Sequence, residues 1–402
     1  MSTAAPATPP RSAETPDRKH GRGAGAGFPL VRAGLAAALL GAFLAWRVTF
    51  DPYANPDARA FESLARSFLA GRGLVYREPL LGALDLFAFR SPMYAIFLAP
   101  RLALGGVPLA MAVQGALAGF ATAFVGAVAA RLGGRRAGWI AWGIALVWPA
   151  TWILAGQMMS ETLYTALVLA STWLALEAAE RRSGVRAGIA GGLAAAAILT
   201  RPTGVALVVA LVAWLARRFP RGAVVLFAAA VLAWAPWPLR NATRLHAFVP
   251  LLTNGGLNAW TGNTGVPVGE GWKWMRDHAH LGEVGMDRAF WARTIETARA
   301  RPGLVGGRIA RKAVAFVVPL EGGVASIVEL AALALALVAL ATPAWRARLA
   351  LPGLVWAAHG AVTALSVVDA RYRYPTEWAV AIAAAFGTCA LAGRARSRKV
   401  AA

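Results

Sequence analysis

Cysteine is almost missing from this chain: Cys389 stands alone, in an apolar stretch near the C-terminus. An intrachain disulfide and a cysteine-based metal site are excluded, and Cys389 reads as a small packing residue. Acids are scarce too, 19 Asp and Glu against 41 Lys and Arg. The resulting charge of +22 would suit nucleic acid, but the basic residues fall in small clusters between apolar runs rather than on one soluble module. Nucleic acid is not expected as a partner. No P-loop, dinucleotide fingerprint or serine elbow stands in a suitable context, so nothing points to a soluble nucleotide donor. His278 and His280, in DHAH, have no firm third ligand and are a weak metal signal.

What the chain has in quantity is apolar sequence, 58% hydrophobic residues against 15% charged, in runs of membrane-spanning length. It reads as an all-α polytopic membrane protein. Residues 1–27, rich in Pro, Ala, Gly, Ser and charge, cannot bury a core and are expected to form a disordered cytoplasmic tail. Ten spans are expected, near 30–50, 107–130, 138–156, 162–179, 186–200, 203–216, 222–238, 324–342, 350–367 and 376–393. Segments 92–104 and 303–320 carry arginines and read as interfacial or half-buried helices; if both cross, the count is twelve. The transmembrane domain is then 28–393, followed by a basic cytoplasmic tail, 394–402.

Both tails and the loops RLGGRR, EAAERRSGVR, RRFPR and 345–348 hold about half of the basic residues and few of the acids. By the positive-inside rule that side is the cytoplasm and both termini lie there, as expected of a bacterial inner-membrane protein. The outer side receives the long loops 51–106 and 240–322, the turns QMMSE and LTRPTG, and VVDARYRYP. Polar groups with no topological task, where long loops meet spans, are where function is sought.

In NPDARAFESLARSFLAGRGL (55–74), Phe61, Leu64, Ala65, Phe68 and Leu69 form one apolar stripe, which predicts an amphipathic helix on the outer membrane surface. Asn55 can cap it, Pro56 suits its first position and Gly71 can end it. Asp57 in the first turn has two readings on position alone: a helix-start acid facing the macrodipole, or a general base at the interface. Glu161, Asp85 and Asp369 share its side, each also able to cap a helix or meet an arginine. Arg90, Arg201, Arg240, Arg371 and Arg373 gather at span ends, where guanidinium can hold a lipid phosphate or snorkel to ordinary headgroups. In LLTNGGLNAWTGNTG, which shows neither helical nor strand periodicity, Asn254, Asn258, Trp260 and Asn263 suit a sugar or an acceptor. Trp260, Trp272 and Trp274 serve equally as interface anchors.

The ordered set NPDARAFESLARSFLAGRGL, FRSPMYAIFLA, MSETLY, LTRPTG, APWPLRN, NGGLNAWTGN and RYRYP resembles the C-type (GT-C) membrane glycosyltransferases. The resemblance is to the bacterial family 39-like proteins, related to protein O-mannosyltransferases and lipid A aminoarabinose transferases, and covers roughly residues 30–390. It implies a GT-C bundle of about 10–12 spans with amphipathic juxtamembrane helices in the first outer loop. It also implies inverting transfer of a sugar from a polyprenyl-phosphate donor to a lipid, glycan or protein hydroxyl, on the outer face. Asp57 matches the first-loop catalytic acid and Glu161 the acid of the second outer loop, which could hold a divalent ion such as Mg or Mn. Arg201, Arg240, Arg371 and Arg373 would face the donor phosphate. Eukaryotic relatives carry Asp-Glu in the first loop, whereas Ala58 follows Asp57 here. No large soluble domain follows the last span, so the acceptor is expected in the loops or on a partner. The rival is a transporter or flippase of a lipid-linked sugar, which predicts charges within spans and internal symmetry.

Overall fold

The computed structural model describes residues 28–47, 51–82, 84–319, 323–366 and 370–401; the expected N-terminal tail and Asp369 lie outside them. Each of the ten apolar runs is built of helix where described, the run 138–156 breaking at Val147–Trp148 into Arg135–Leu146 and Pro149–Ala155. The architecture is the all-α polytopic one expected, with a single two-stranded antiparallel hairpin in the first long loop, Tyr76–Glu78 against Leu84–Leu86.

Among the described residues four helices are individually long and apolar enough to cross a membrane, and two bent pairs raise the number to six. Three further apolar helices are shorter, Leu30–Ala45, Gly184–Thr200 and Gly204–Ala216. At 1.5 Å per residue, the last of these covers about 20 Å of a hydrocarbon layer some 30 Å thick. The ten runs read from hydropathy thus form helices of unequal length, and Arg201 stands at the turn that joins Gly184–Thr200 to Gly204–Ala216.

Small residues set the packing, as expected where lipid is as apolar as the helices and close backbone approach supplies the attraction. Gly115 and Gly119 of the long helix Pro92–Gly133 lie against Ala37 and Gly41 of Leu30–Arg47. A Cβ on Gly119 would stand 1.9 Å from the Ala37 carbonyl oxygen, so no larger residue fits. The expected half-buried segment 92–104 is the first part of this same helix, joined to the span by a kink at Gly105–Gly106.

The amphipathic helix forms as Asp57–Leu69, with the Asn55 side chain accepting the Asp57 N–H at 3.0 Å and Gly71 at φ +73°. Its stripe differs from the expectation of a membrane-facing helix. Ala58, Phe61, Leu64 and Ala65 are buried, with Phe61 edge-on to Tyr94 of the long helix, and only Phe68 and Leu69 remain exposed. Burying Phe61 contributes about 1.5–3 kcal/mol. That packing fixes Asp57 relative to the spans.

The second long loop is also helical, contrary to its aperiodic sequence: Gly255–Thr264, Val268–Asp277, Gly282–Ala300 and Pro302–Val317. Gly and Asn disfavour helix, but the Gly255–Thr264 helix is held from outside. Its Gly256 N–H donates to Asp287, and its face packs on Phe290 through Trp260. At the C-terminus the helix Ala370–Ala401 runs past residue 394 without a break, so the basic tail continues the last helix.

Candidate active site

A cavity of about 610 Å³ opens where the Asp57 helix, the junctions at Ser160 and Arg201, the Gly255–Thr264 helix and the start of the last span converge. Asp57, Arg90, Ser160, Arg201, Arg371 and Tyr372 line one part of it. Both Asp57 oxygens are engaged, Oδ1 with Arg90 Nη2 at 2.7 Å and Oδ2 with Arg371 Nη1 at 3.1 Å. Burial alone would lift the Asp57 pKa, but the charges of Arg90 and Arg371, with Arg201 adding to them, hold it below the usual carboxylate range. Tyr372 lies between two cations, the Arg201 guanidinium 4.7 Å and the Arg371 guanidinium 5.1 Å from its ring centroid.

Glu161 is fully buried and does not line the cavity. Arg201 Nη1 stands 2.8 Å from its Oε1 as an ion pair, out of line for a hydrogen bond, while donating to Ser160 Oγ at 3.1 Å. Glu161 thus holds Arg201 from behind Ser160 and does not itself face the cavity. Among the described residues no group of three or more His, Cys, Asp or Glu could hold a metal ion, and the Asp57 and Glu161 carboxylates are taken by guanidinium groups. This donor set does not fit a divalent ion. His278 stacks on Trp274, 4.0 Å between centroids, as a surface histidine would.

Two of the expected phosphate-binding arginines are elsewhere. Arg240 donates to the carbonyls of Phe87 and Leu74, at 2.6 and 2.8 Å, and stacks over Trp237. It fastens the first long loop to the Pro236–Leu245 helix, beside the fully buried Asn241. Arg373 turns into the protein, paired with Glu329 and with Glu377, the latter at 2.7 Å. Arg371 and Arg373 part because the last helix already begins at Ala370, so residues two apart point about 200° from each other. Both acids lie within expected spans, which hydropathy had shown as nearly free of them. Asp85 pairs with Arg77 across the hairpin, at an exposed site.

From the second long loop the cavity takes Asn254 and Asn258 but neither Trp260 nor Asn263. Trp260 packs on Phe290, and Asn263 bonds to Leu365 O and accepts from Lys312 Nζ at 2.6 Å. Sequence reasoning passed over Tyr372, Ser160, Asp287 and Trp291 as cavity residues. The i, i+4 spacing of Asp287 and Trp291 was the signal for the last pair, had residues 282–300 been read as a helix.

Among solved structures the chain is similar to the archaeal oligosaccharyltransferase AglB from Archaeoglobus fulgidus, in complex with an inhibitory peptide and a dolichol-phosphate. The TM-score is 0.57 at 14% identity, over 92% of this chain and 52% of that one. The apo form of the A. fulgidus oligosaccharyltransferase gives 0.57 at 13% identity, over 93% and 52%. ArnT from Cupriavidus metallidurans bound to undecaprenyl phosphate is a weaker likeness, 0.43 at 18% identity, over 87% and 77%. No family model and no curated protein matches. The chain shares its fold with the archaeal oligosaccharyltransferase, in agreement with the GT-C-type bundle expected from the sequence, and is an integral membrane protein. It spans about half the length of the oligosaccharyltransferase.

Proposed function

We propose that this protein transfers a sugar from a polyprenyl-phosphate carrier to an acceptor hydroxyl, with inversion, on the outer face of a bacterial inner membrane. We place it with the family 39-like enzymes. The observation that carries this reading is the Asp57 carboxylate in a large cavity, shared with three arginines and one tyrosine. A base and a phosphate-sized cluster of guanidinium groups are what such a displacement needs.

Asp57 accepts the proton of the acceptor hydroxyl as its oxygen forms a bond to the anomeric carbon. The bond from that carbon to the phosphate oxygen breaks, and its electron pair leaves with the polyprenyl phosphate. Arg201 and Arg371 neutralise the charge that develops there. The salt bridges keep Asp57 a poor base at rest, so an arriving phosphate must first draw Arg371 away, which raises its proton affinity. Glu161 fixes Arg201 in place. The divalent ion expected with Glu161 has no role in this scheme, since cationic side chains already meet both carboxylates. The termini lie in the cytoplasm, opposite the cavity, as the distribution of basic loops supports.

The test uses purified full-length protein with labelled undecaprenyl-phosphate sugars and extracted envelope lipids and glycans as acceptors, following release of free undecaprenyl phosphate. Asp57→Asn is expected to lose about 10²- to 10⁴-fold in rate. Equal turnover in wild type and Asp57→Asn refutes the assignment of the base. A flippase of a lipid-linked sugar is the second reading, favoured by one observation, the buried Glu329–Arg373–Glu377 cluster between spans. It predicts movement of an intact labelled lipid across proteoliposomes with no release of polyprenyl phosphate.

A further inference from the structure

Away from the Asp57 pairs, the cavity is lined by a second set of polar groups, Asn254, Asn258, Asp287 and Trp291. Asp287 and Trp291 stand one turn apart on the Gly282–Ala300 helix. Asp287 Oδ1 accepts the Gly256 N–H at 2.6 Å, at the N-terminus of the Gly255–Thr264 helix, where the helix dipole favours a carboxylate. Gly256 permits that approach: a Cβ there would stand 2.3 Å from the Asp287 carbonyl oxygen. Gly255 lies at ordinary contact distance from the Trp291 ring, where a Cβ would stand 3.5 Å away. It is Gly256 whose lack of a side chain fits Asp287 against this helix.

The Asn254 side chain is only 6% exposed, and its buried Oδ1 has no hydrogen-bond partner in the structure. An unsatisfied buried acceptor costs about 1–3 kcal/mol. Asn254 lines the cavity with this oxygen just under the surface, so a ligand that donates relieves the cost when the amide turns outward. Trp291 is partly exposed, with its indole available to an incoming ring.

We propose that Asn254, Asp287 and Trp291 form the subsite for the sugar of the lipid-linked donor. The Asn254 and Asp287 oxygens accept hydrogen bonds from ring hydroxyls, and the Trp291 indole covers the CH face. This assignment rests on the transferase reading above. The two parts of such a donor require opposite partners. Phosphate offers acceptors and is met by Arg90, Arg201 and Arg371; sugar hydroxyls donate, and carboxylate and amide oxygens accept. A second phosphate would be repelled by Asp287, and a prenyl segment would leave Asn254 Oδ1 unpaired.

Full-length protein in lipid nanodiscs is titrated calorimetrically with undecaprenyl phosphate, alone or carrying mannose, glucose, galactose or arabinose. Wild type is expected to bind at least one glycosylated lipid about tenfold more tightly than the bare phosphate. Asp287→Asn, which keeps the acceptor for Gly256, and Trp291→Ala are each expected to abolish most of that preference. Their affinity for bare undecaprenyl phosphate should stay within about twofold of wild type, which also reports that they fold. Preference retained in both variants, or absent from wild type across the panel, overturns the subsite while the phosphate-binding reading stands. A parallel loss of bare-phosphate affinity in the variants also overturns it, since the residues would then act through the fold. Wild type that binds no undecaprenyl phosphate at all overturns the transferase reading together with the subsite.

Discussion

Two arginine–carboxylate clusters share the helix Ala370–Ala401, and they differ in what can reach them. Asp57, Arg90 and Arg371 meet at a cavity wall with side chains 17–22% exposed, whereas Glu329, Arg373 and Glu377 are sealed among helices at 6–9%. An ion pair at a cavity wall can be opened by an anion that replaces the carboxylate. A sealed pair has no such exchange partner, and each of its charges depends on the other for having left water. The same residue type, two positions apart, lines an open cavity in one case and is packed between the spans in the other.

The sharpest way to break this contrast is to remove each arginine in turn. Arg373→Ala strands two buried carboxylates and is expected to cost about 3–5 kcal/mol, seen as low yield and a lower Tm in detergent. Arg371→Ala should leave Tm nearly unchanged and remove most of the affinity for undecaprenyl phosphate. If both variants unfold, or both only lose binding, the distinction fails. Arg240→Met tests a third arginine, which clamps backbone carbonyls. Its expected cost is about 1–3 kcal/mol of stability, with undecaprenyl-phosphate affinity retained in the folded fraction.

Glu283 sharpens the comparison from the acidic side, as a buried carboxylate that forms no salt bridge among the described residues and feels Arg240 only through its charge. It accepts the N–H groups of Phe87 and Ala88, at 2.9 and 3.2 Å, and the Thr253 hydroxyl at 3.4 Å, tying the two long loops together. Burial, opposed by those hydrogen bonds, raises its pKa from 4.5 to about 7. The folded state therefore binds this proton more tightly than the unfolded one, so its stabilising contribution is full below about pH 4.5 and is lost as pH rises through 7. Tm scans across that window should slope downward in wild type relative to Glu283→Gln; parallel scans would contradict the assignment. The smallest effect belongs to Arg66→Ala, which breaks an exposed pair with Glu62 and should cost under about 0.5 kcal/mol.

Hydropathy sufficed for the helices, because a lipid solvent forces every apolar run to satisfy its own backbone. The positions of Asp57, Arg90, Arg201 and Arg371 were legible because charge at span ends has few topological uses. Rotation about a helix axis was not: placing VVDARYRYP between two spans put Arg371 and Arg373 on one side, and the helix that starts at Ala370 sends Arg373 into the core. Glu161 was legible as an acid at the outer end of a span, but not its burial: its partner Arg201 is 40 positions away and only packing joins them. The NGG helix was hidden because its stability comes from Asp287 and Phe290, outside any local window.

In the proposed mechanism Asp57 and the donor phosphate compete for the same guanidinium groups. The direct measurement is the affinity of Asp57→Asn for undecaprenyl phosphate, against wild type in the same nanodiscs. Removing the carboxylate's charge frees Arg90 and Arg371, so the variant should bind the bare lipid phosphate more tightly while releasing it from a glycosylated donor about 10²- to 10⁴-fold more slowly. Affinity equal to or weaker than wild type would contradict that competition.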